Sequence, residues 1–224
     1  MRNKVKLGLA GFVGAGILLV AAPAKAVITA VDLGTAAPPA TLGGYTMTPF
    51  AADPTPPYTV VTSVASPLGG SVTFDIGLSH RVVGASWGTW SHGYSGDVYY
   101  TDGAQSVTLT LPANTAAFYL YAEPNPFSLH TITVTANDGT SLSVHVHGDH
   151  GANGYGFYLS GPGSLTSLTV SSPTTDFAIG EFGIAKLSGT PTVPEGWTGS
   201  TGLWVLGLSL ASLAGLRRWQ PVRR

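Results

Sequence analysis

Between residues 58 and 188, apolar and polar residues alternate with the period of two that places successive side chains on opposite faces of a β-strand. The alternation is clearest in the segments 72–78, 107–111, 132–134, 142–146 and 177–179. Residues that favour turns separate these segments. Outside the two termini, no apolar stripe of useful length has the 3.6-residue period of a helix. The pattern therefore predicts an all-β domain.

The strongest hairpin signal is Asn137-Asp138-Gly139, which lies between two alternating segments. Short antiparallel strands with one solvated face commonly form two sheets that pack face to face. We therefore expect residues 58–188 to form an antiparallel β-sandwich, jelly-roll-like or immunoglobulin-like, with Thr and Ser on its wet faces. A short linker, residues 189–192, follows.

The segment before this domain has a different composition. Residues 35–57 contain six prolines, and proline removes a backbone donor and favours extended or turn conformations. The composition predicts a loose lead-in over residues 27–57, with a strand near Tyr45 to Thr48.

The first 26 residues have the layout of a secretory signal peptide. Arg2, Lys4 and Lys6 precede an apolar run over residues 7–22, and Ala24-Lys25-Ala26 resembles a signal-peptidase site. We expect this signal helix to direct export, and the mature chain to begin near Val27.

A second apolar segment lies near the C-terminus. Residues 196–216 carry no charge, and as a helix they extend about 30 Å, enough to cross the hydrocarbon core of a bilayer. Arg217 and Arg218 follow directly. Because arginine is retained on the cytoplasmic side, the pattern predicts a transmembrane helix with the preceding domain outside.

Val193-Pro194-Glu195, the apolar segment and the terminal arginines together resemble the PEP-CTERM sorting signal. The resemblance is confined to residues 193–224, and Gly196 and Trp197 stand where family members usually continue Val-Pro-Glu-Pro. It implies recognition by an exosortase, transient anchoring in the inner membrane and release to the surface of an exopolysaccharide-producing bacterium. A plain C-terminal membrane anchor is the alternative.

The predicted exported part is strongly acidic. Between residues 27 and 192 only Arg81 and Lys186 are basic against ten acidic residues, a net charge of −8. Nucleic acid is therefore excluded as a partner, because phosphate binding needs clustered Lys and Arg. The chain has no cysteine, so its fold depends on a hydrophobic core without disulfides.

An aromatic-rich stretch gives the first candidate binding site. Its rings are those of Trp87, Trp90, Tyr94, Tyr99 and Tyr100. Exposed Trp and Tyr rings can stack on the apolar faces of sugars while polar neighbours bind the hydroxyls. A carbohydrate-binding module is therefore one hypothesis, and burial of the tryptophans in the sandwich core is the alternative.

The second candidate is a histidine motif made of His145, His147, Asp149 and His150. It reads H-x-H-x-D-H, the metal-binding signature of the metallo-β-lactamase superfamily, and zinc could activate water there. That superfamily needs an αββα fold and ligands downstream, whereas His150 is the last histidine of this chain. Solvated polar residues on a strand face, or a weak metal site, are the alternatives to this remote hydrolase hypothesis.

No catalytic residues or cofactor are predicted, since no nucleophile elbow, P-loop or dinucleotide motif is present in the sequence. The expected protein is exported, processed by an exosortase and non-enzymatic. We expect it at the cell surface or in the extracellular matrix, in contact with exopolysaccharide or biofilm.

Overall fold

The computed structural model describes residues 27–187, which form 14 β-strands and contain no helix. The strands are β1 Ile28–Gly34, β2 Thr41–Leu42, β3 Tyr45–Thr46, β4 Thr48–Pro49, β5 Val60–Ala65, β6 Ser71–Val82, β7 Asp97–Tyr100, β8 Ser106–Thr110, β9 Thr115–Pro124, β10 Leu129–Ala136, β11 Ser141–His147, β12 Asn153–Leu159, β13 Ser167–Ser171 and β14 Phe177–Lys186. The prediction of an all-β, antiparallel fold is confirmed for these residues.

Twelve strands belong to one antiparallel sheet, and β2 and β3 form a separate hairpin. The strand order along the sheet is β1-β12-β9-β14-β7-β6-β8-β13-β10-β11, with β4 paired to β14 and β5 paired to β6. The prediction of two separate sheets differs from this arrangement. The reason is that the long strands β6 and β14 each bond to three neighbours, which joins the strands into one continuous sheet.

The two ends of the sheet meet through side chains of the β10–β11 turn. The backbone amide of Ile28 in β1 donates to Asp138 Oδ2 at 3.1 Å, and Thr140 Oγ1 donates to the carbonyl of Ile28 at 3.3 Å. The sheet is therefore nearly closed, and side chains satisfy part of an edge that would otherwise expose backbone groups. The predicted hairpin at Asn137-Asp138-Gly139 is confirmed by the β10–β11 pairing.

The inside of the sheet holds the main hydrophobic core. Residues at alternating positions of the predicted strands, among them Val72, Leu109 and Ile132, are fully buried there. Phe118 and Phe182 form part of a group of packed aromatic rings in the same core. The outer faces of β10 and β11 carry Thr and Ser, as expected from the alternation.

Strand β9 is buried on both faces, because a second layer covers its outside. All ten of its residues are buried. The outward rings of Tyr119 and Tyr121 pack in a smaller hydrophobic cluster with Leu42 and Met47. The segment expected to be a loose lead-in therefore supplies β1 to the sheet and an apolar cover to its outer face.

Candidate functional site

The loop between β6 and β7, residues 83–96, carries the tryptophans of the aromatic-rich stretch and is called here the aromatic loop. Backbone hydrogen bonds hold its first turn, since the amides of Trp87 and Ser86 both donate to the carbonyl of Val82. Trp87 and Trp90 are half-buried, and neither belongs to the buried core. Trp87 is therefore not a core residue, whereas Trp90 packs against the smaller hydrophobic cluster outside β9, closer to the core-packing alternative.

The aromatic loop is tied to the sheet by two glutamates. Trp87 Nε1 donates to Glu123 Oε2 at 2.7 Å, and Thr89 Oγ1 donates to Glu123 Oε1 at 2.8 Å. Trp90 Nε1 donates to Glu181 Oε2 at 2.9 Å. Hydrogen bonds to carboxylates are stronger than those between neutral groups, so these contacts fix the position of both indole rings.

Burial changes the acidity of both carboxyl groups. Glu123 is 0% exposed, and its burial raises the pKa of the carboxyl to about 7, although the bonds from Trp87 and Thr89 oppose the rise. Burial also raises the pKa of Glu181, against the opposing effect of its hydrogen bonds from His92 and Trp90. Glu181 lies at a bulge of β14 with φ of 51°, so its own backbone conformation is uncommon.

Beside the aromatic loop lies an open cavity of about 270 Å³, called here the aromatic cleft. It is lined by Tyr58, Arg81, Ser86, Trp87, Gly88, Thr89, Tyr100, Asn125, Phe127 and Gly148. The rings of Tyr58 and Phe127 are 67% and 69% exposed. Large exposed aromatic rings around a concave surface are typical of binding sites.

Arg81 orders two of the rings that line the cleft. Its guanidinium carbon lies 4.1 Å from the centroid of the Tyr58 ring and 5.6 Å from that of Tyr100. The Trp87 and Tyr100 rings meet at a centroid distance of 5.4 Å and a 46° tilt. Cation–π contacts of this kind stabilise exposed rings, so the cleft presents its aromatic surface in a defined arrangement.

Polar groups bind the far end of Tyr100. Its hydroxyl donates to Asp176 Oδ2 and accepts a hydrogen bond from Asn125 Nδ2 at 3.1 Å. Burial and the neighbouring Asp176 raise the pKa of Tyr100 to about 12. The phenol is therefore neutral near pH 7, and the cleft combines aromatic faces with amide, guanidinium and hydroxyl groups.

The five predicted ligand-binding rings are not all brought together. Trp87 and Tyr100 line the aromatic cleft, whereas Tyr94 and Tyr99 line a separate, mainly apolar cavity of about 500 Å³ beneath the proline-rich segment. Tyr99 is 3% exposed, and its hydroxyl donates to Asp53 Oδ2 at 3.0 Å. Trp90 packs with the outer hydrophobic cluster.

Several cleft residues were not identified from the sequence. Tyr58 and Phe127 are far from the aromatic loop along the chain, and only the fold places them beside Trp87. Tyr58 follows Pro57 and Phe127 follows Pro126, and no local pattern places either ring beside Trp87.

The histidine motif is also divided by the fold. His147, Asp149 and His150 converge at the end of β11, with one possible ligand atom from each lying within 4.8 Å of the others. His145 instead approaches Thr131 on β10, with 3.1 Å between His145 Nδ1 and Thr131 Oγ1. Because residues 27–187 contain no helix, they do not provide the αββα fold that the hydrolase hypothesis requires.

The predicted signal helix and the sorting residues Val193, Pro194, Glu195, Arg217 and Arg218 lie outside the described residues. Within residues 27–187, no helix is long and apolar enough to cross a membrane. No protein-family model matches the chain, and no curated protein matches it.

Proposed function

We propose that this chain is an exported, non-enzymatic surface or matrix protein that binds exopolysaccharide through its aromatic cleft. The observation that carries the binding proposal is the grouping of Tyr58, Trp87, Tyr100 and Phe127 around one cavity, with Arg81 and Asn125 beside them. Aromatic faces can cover the apolar faces of sugar rings, while guanidinium and amide groups bind hydroxyls.

The size of the cleft favours a short stretch of glycan. Its volume of about 270 Å³ is just below the range of roughly 300–1,000 Å³ that is common for small-molecule sites. One ring face buried against a sugar contributes about 1–2 kcal/mol by area. Several rings, or several copies of the protein on one polymer, are therefore needed for firm attachment.

Both glutamates beside the aromatic loop have a structural role in this proposal. Both oxygens of Glu123 and Oε2 of Glu181 accept hydrogen bonds from side chains of the loop, and Glu181 Oε1 contacts His92 Nε2 of the loop at 2.6 Å. Holding the loop in one conformation lowers the entropy cost of binding a flexible polymer. The carboxylates thus serve to position the rings rather than to transfer protons.

Export is the second part of the proposal and rests on the sequence. Residues 1–26 act as the signal peptide, and residues 193–224 act as the sorting segment, with a transmembrane helix over 196–216. The exosortase removes this anchor near Val193-Pro194-Glu195. The protein then leaves the inner membrane for the cell surface or extracellular matrix.

Affinity electrophoresis through gels containing the producing bacterium's own exopolysaccharide tests the binding proposal. We expect the polymer to retard the full-length protein, and Phe127→Ala and Tyr58→Ala to reduce the retardation, because both rings are exposed and can be removed without opening the core. Leu129→Ala is the matched control, since Leu129 is exposed but does not line the cleft. Equal retardation of all four proteins would contradict the proposal.

Mass spectrometry of the protein recovered from its host tests the sorting proposal. The expected species begins near Val27 and ends near Glu195. Replacement of Arg217 and Arg218 by Glu should impair anchoring and processing, since it removes the positive charges that retain the C-terminus in the cytoplasm. Recovery of a chain that still ends at Arg224 in a host with an active exosortase would refute processing.

A further inference from the structure

The turn after β11 gathers three side chains with metal-binding atoms. Asp149 Oδ1 lies 2.5 Å from His147 Nδ1 and 3.3 Å from His150 Nε2. His147 Nδ1 is shielded from solvent, and no hydrogen bond of acceptable geometry satisfies it. A buried polar atom without such a bond is unfavourable unless another partner is available.

The backbone of this turn is held in place on two sides. The amide of Gly148 donates to the carbonyl of Ser128 at 3.2 Å, and its own carbonyl oxygen lies 3.2 Å from Thr89 Oγ1, whose proton is donated to Glu123. A Cβ atom at position 148 would lie 2.2 Å from the carbonyl oxygen of Pro126, so only glycine fits. The amide of His150 then donates to the carbonyl of His147 at 3.1 Å, which closes the turn.

We infer that His147, Asp149 and His150 form a binding site for one divalent transition-metal ion of the Zn²⁺ or Cu²⁺ class. Two imidazoles and one carboxylate suit these ions, whereas Mg²⁺ and Ca²⁺ prefer sites made of oxygen ligands. Water would complete the coordination sphere, as is usual where a protein supplies three ligands. The inference does not depend on sugar binding by the aromatic cleft.

Metal binding requires a small rearrangement of the side chains. Ligand atoms at about 2.1 Å from a tetrahedral ion are roughly 3.4 Å apart, so the pair that now lies at 2.5 Å must separate. The rings of His147 and His150 are stacked at 4.3 Å with an 18° angle, and each nitrogen lone pair lies in the plane of its own ring. His150 must therefore turn, and it can, because its side chain is 74% exposed.

Isothermal titration calorimetry on the full-length protein, purified without a histidine tag and treated with EDTA, tests the inference. We expect ZnCl₂ and CuCl₂ each to bind with one-to-one stoichiometry and MgCl₂ to give no comparable signal. His150→Ala should weaken Zn²⁺ binding at least about tenfold, the effect of losing about 1.4 kcal/mol of binding free energy. Because His150 is exposed, this variant should fold normally, and far-ultraviolet circular dichroism checks that it does.

His145→Ala is the matched control, since His145 lies on β11, as His147 does, but outside the three-residue group. Its Zn²⁺ affinity should stay within about twofold of the unchanged protein, whereas Asp149→Ala should match the loss seen with His150→Ala. Absence of one-to-one Zn²⁺ binding would overturn the inference. So would Zn²⁺ binding that His150→Ala leaves unchanged, which means adventitious binding, or an equal loss in His145→Ala, which means that the three residues do not define the site.

Discussion

Replacing Glu123 with Gln should change how the stability of the protein depends on pH. Glu123 has a carboxyl pKa of about 7 against an ordinary value of 4.5, mainly because the side chain is buried. At about 1.4 kcal/mol per pKa unit, this rise corresponds to about 3 kcal/mol between the neutral and ionised forms. The contribution of the neutral Glu123 carboxyl to the free energy of unfolding is fully present below about pH 4.5. It falls as the pH rises and is lost above about pH 7.

Gln keeps the shape of this side chain without the charge. Its oxygen can accept the bond from Trp87 Nε1, and its amide group can donate to Thr89 Oγ1, which is then free to donate to the carbonyl of Gly148. The difference in the free energy of unfolding between Glu123→Gln and the unchanged protein should therefore rise by about 2–3 kcal/mol, in favour of the variant, from pH 5 to pH 8.

Urea denaturation of both proteins at pH 5, 6, 7 and 8 measures this difference. Costs of the substitution that do not depend on pH cancel when the values at two pH values are compared. Asp102→Asn serves as a control, because it removes a carboxylate that is exposed. If the stability difference for Glu123→Gln varies by less than about 0.5 kcal/mol over this range, the reasoning about burial is refuted.

Two other pairs of substitutions test the packing. Phe118→Ala should lower the free energy of unfolding by about 3–5 kcal/mol, because its fully buried ring fills the main core. His145→Ala, on the exposed side of β11, should change it by less than about 0.5 kcal/mol. A similar effect of both, measured by urea denaturation, would contradict the assigned faces. Gly183→Ala should cost about 1–3 kcal/mol, because its Cβ would lie 2.2 Å from the Tyr119 ring. Gly88→Ala is the control, because a Cβ at position 88 would lie in open space. Equal melting temperatures for Gly183→Ala and Gly88→Ala would refute the predicted contact with Tyr119.

Most of the strands that alternation predicted have one face in the core and one face in water, whereas the segment 177–179, in β14, is buried on both faces. In β6, β8 and β10, the apolar positions such as Val72, Val107 and Val134 are fully buried. A shift of one residue would move each apolar set into water. For such strands the burial pattern can be read from the sequence, because solvent and core impose different residue types on alternate positions.

Strands β1, β9 and β12 were not identified in this way. Strand β9 is buried on both faces, so its apolar residues do not alternate with polar ones. In β12, Gly154 and Gly156 interrupt the apolar pattern, and the stretch from Gly151 to Gly154 reads as a turn. Only the outer layer over β9, with the Tyr121 ring packed against Gly154 and the Leu42 side chain packed against Gly156, explains why the residues form strands.

In the candidate sites, too, some residues can be identified from the sequence and others only from the fold. The residues of the aromatic-rich stretch and of the histidine motif are visible in the sequence, because several chemically distinctive side chains lie close together along the chain. Their partners are not visible. Tyr58 and Phe127 join Trp87 in the cleft, and Glu123 binds its indole, from separate segments of the chain.

By itself, the sequence determined that the domain beginning at residue 58 would be antiparallel and all-β and that the body would be acidic, and it predicts that the chain is exported. Local periodicity and charge suffice for these conclusions, since each depends on neighbouring residues. The tertiary structure decided that the strands form one nearly closed sheet, that the proline-rich segment covers β9, and that Trp87 and Tyr100, but not Tyr99, line the cleft. These features depend on contacts between residues far apart in the chain, and no local pattern records such contacts.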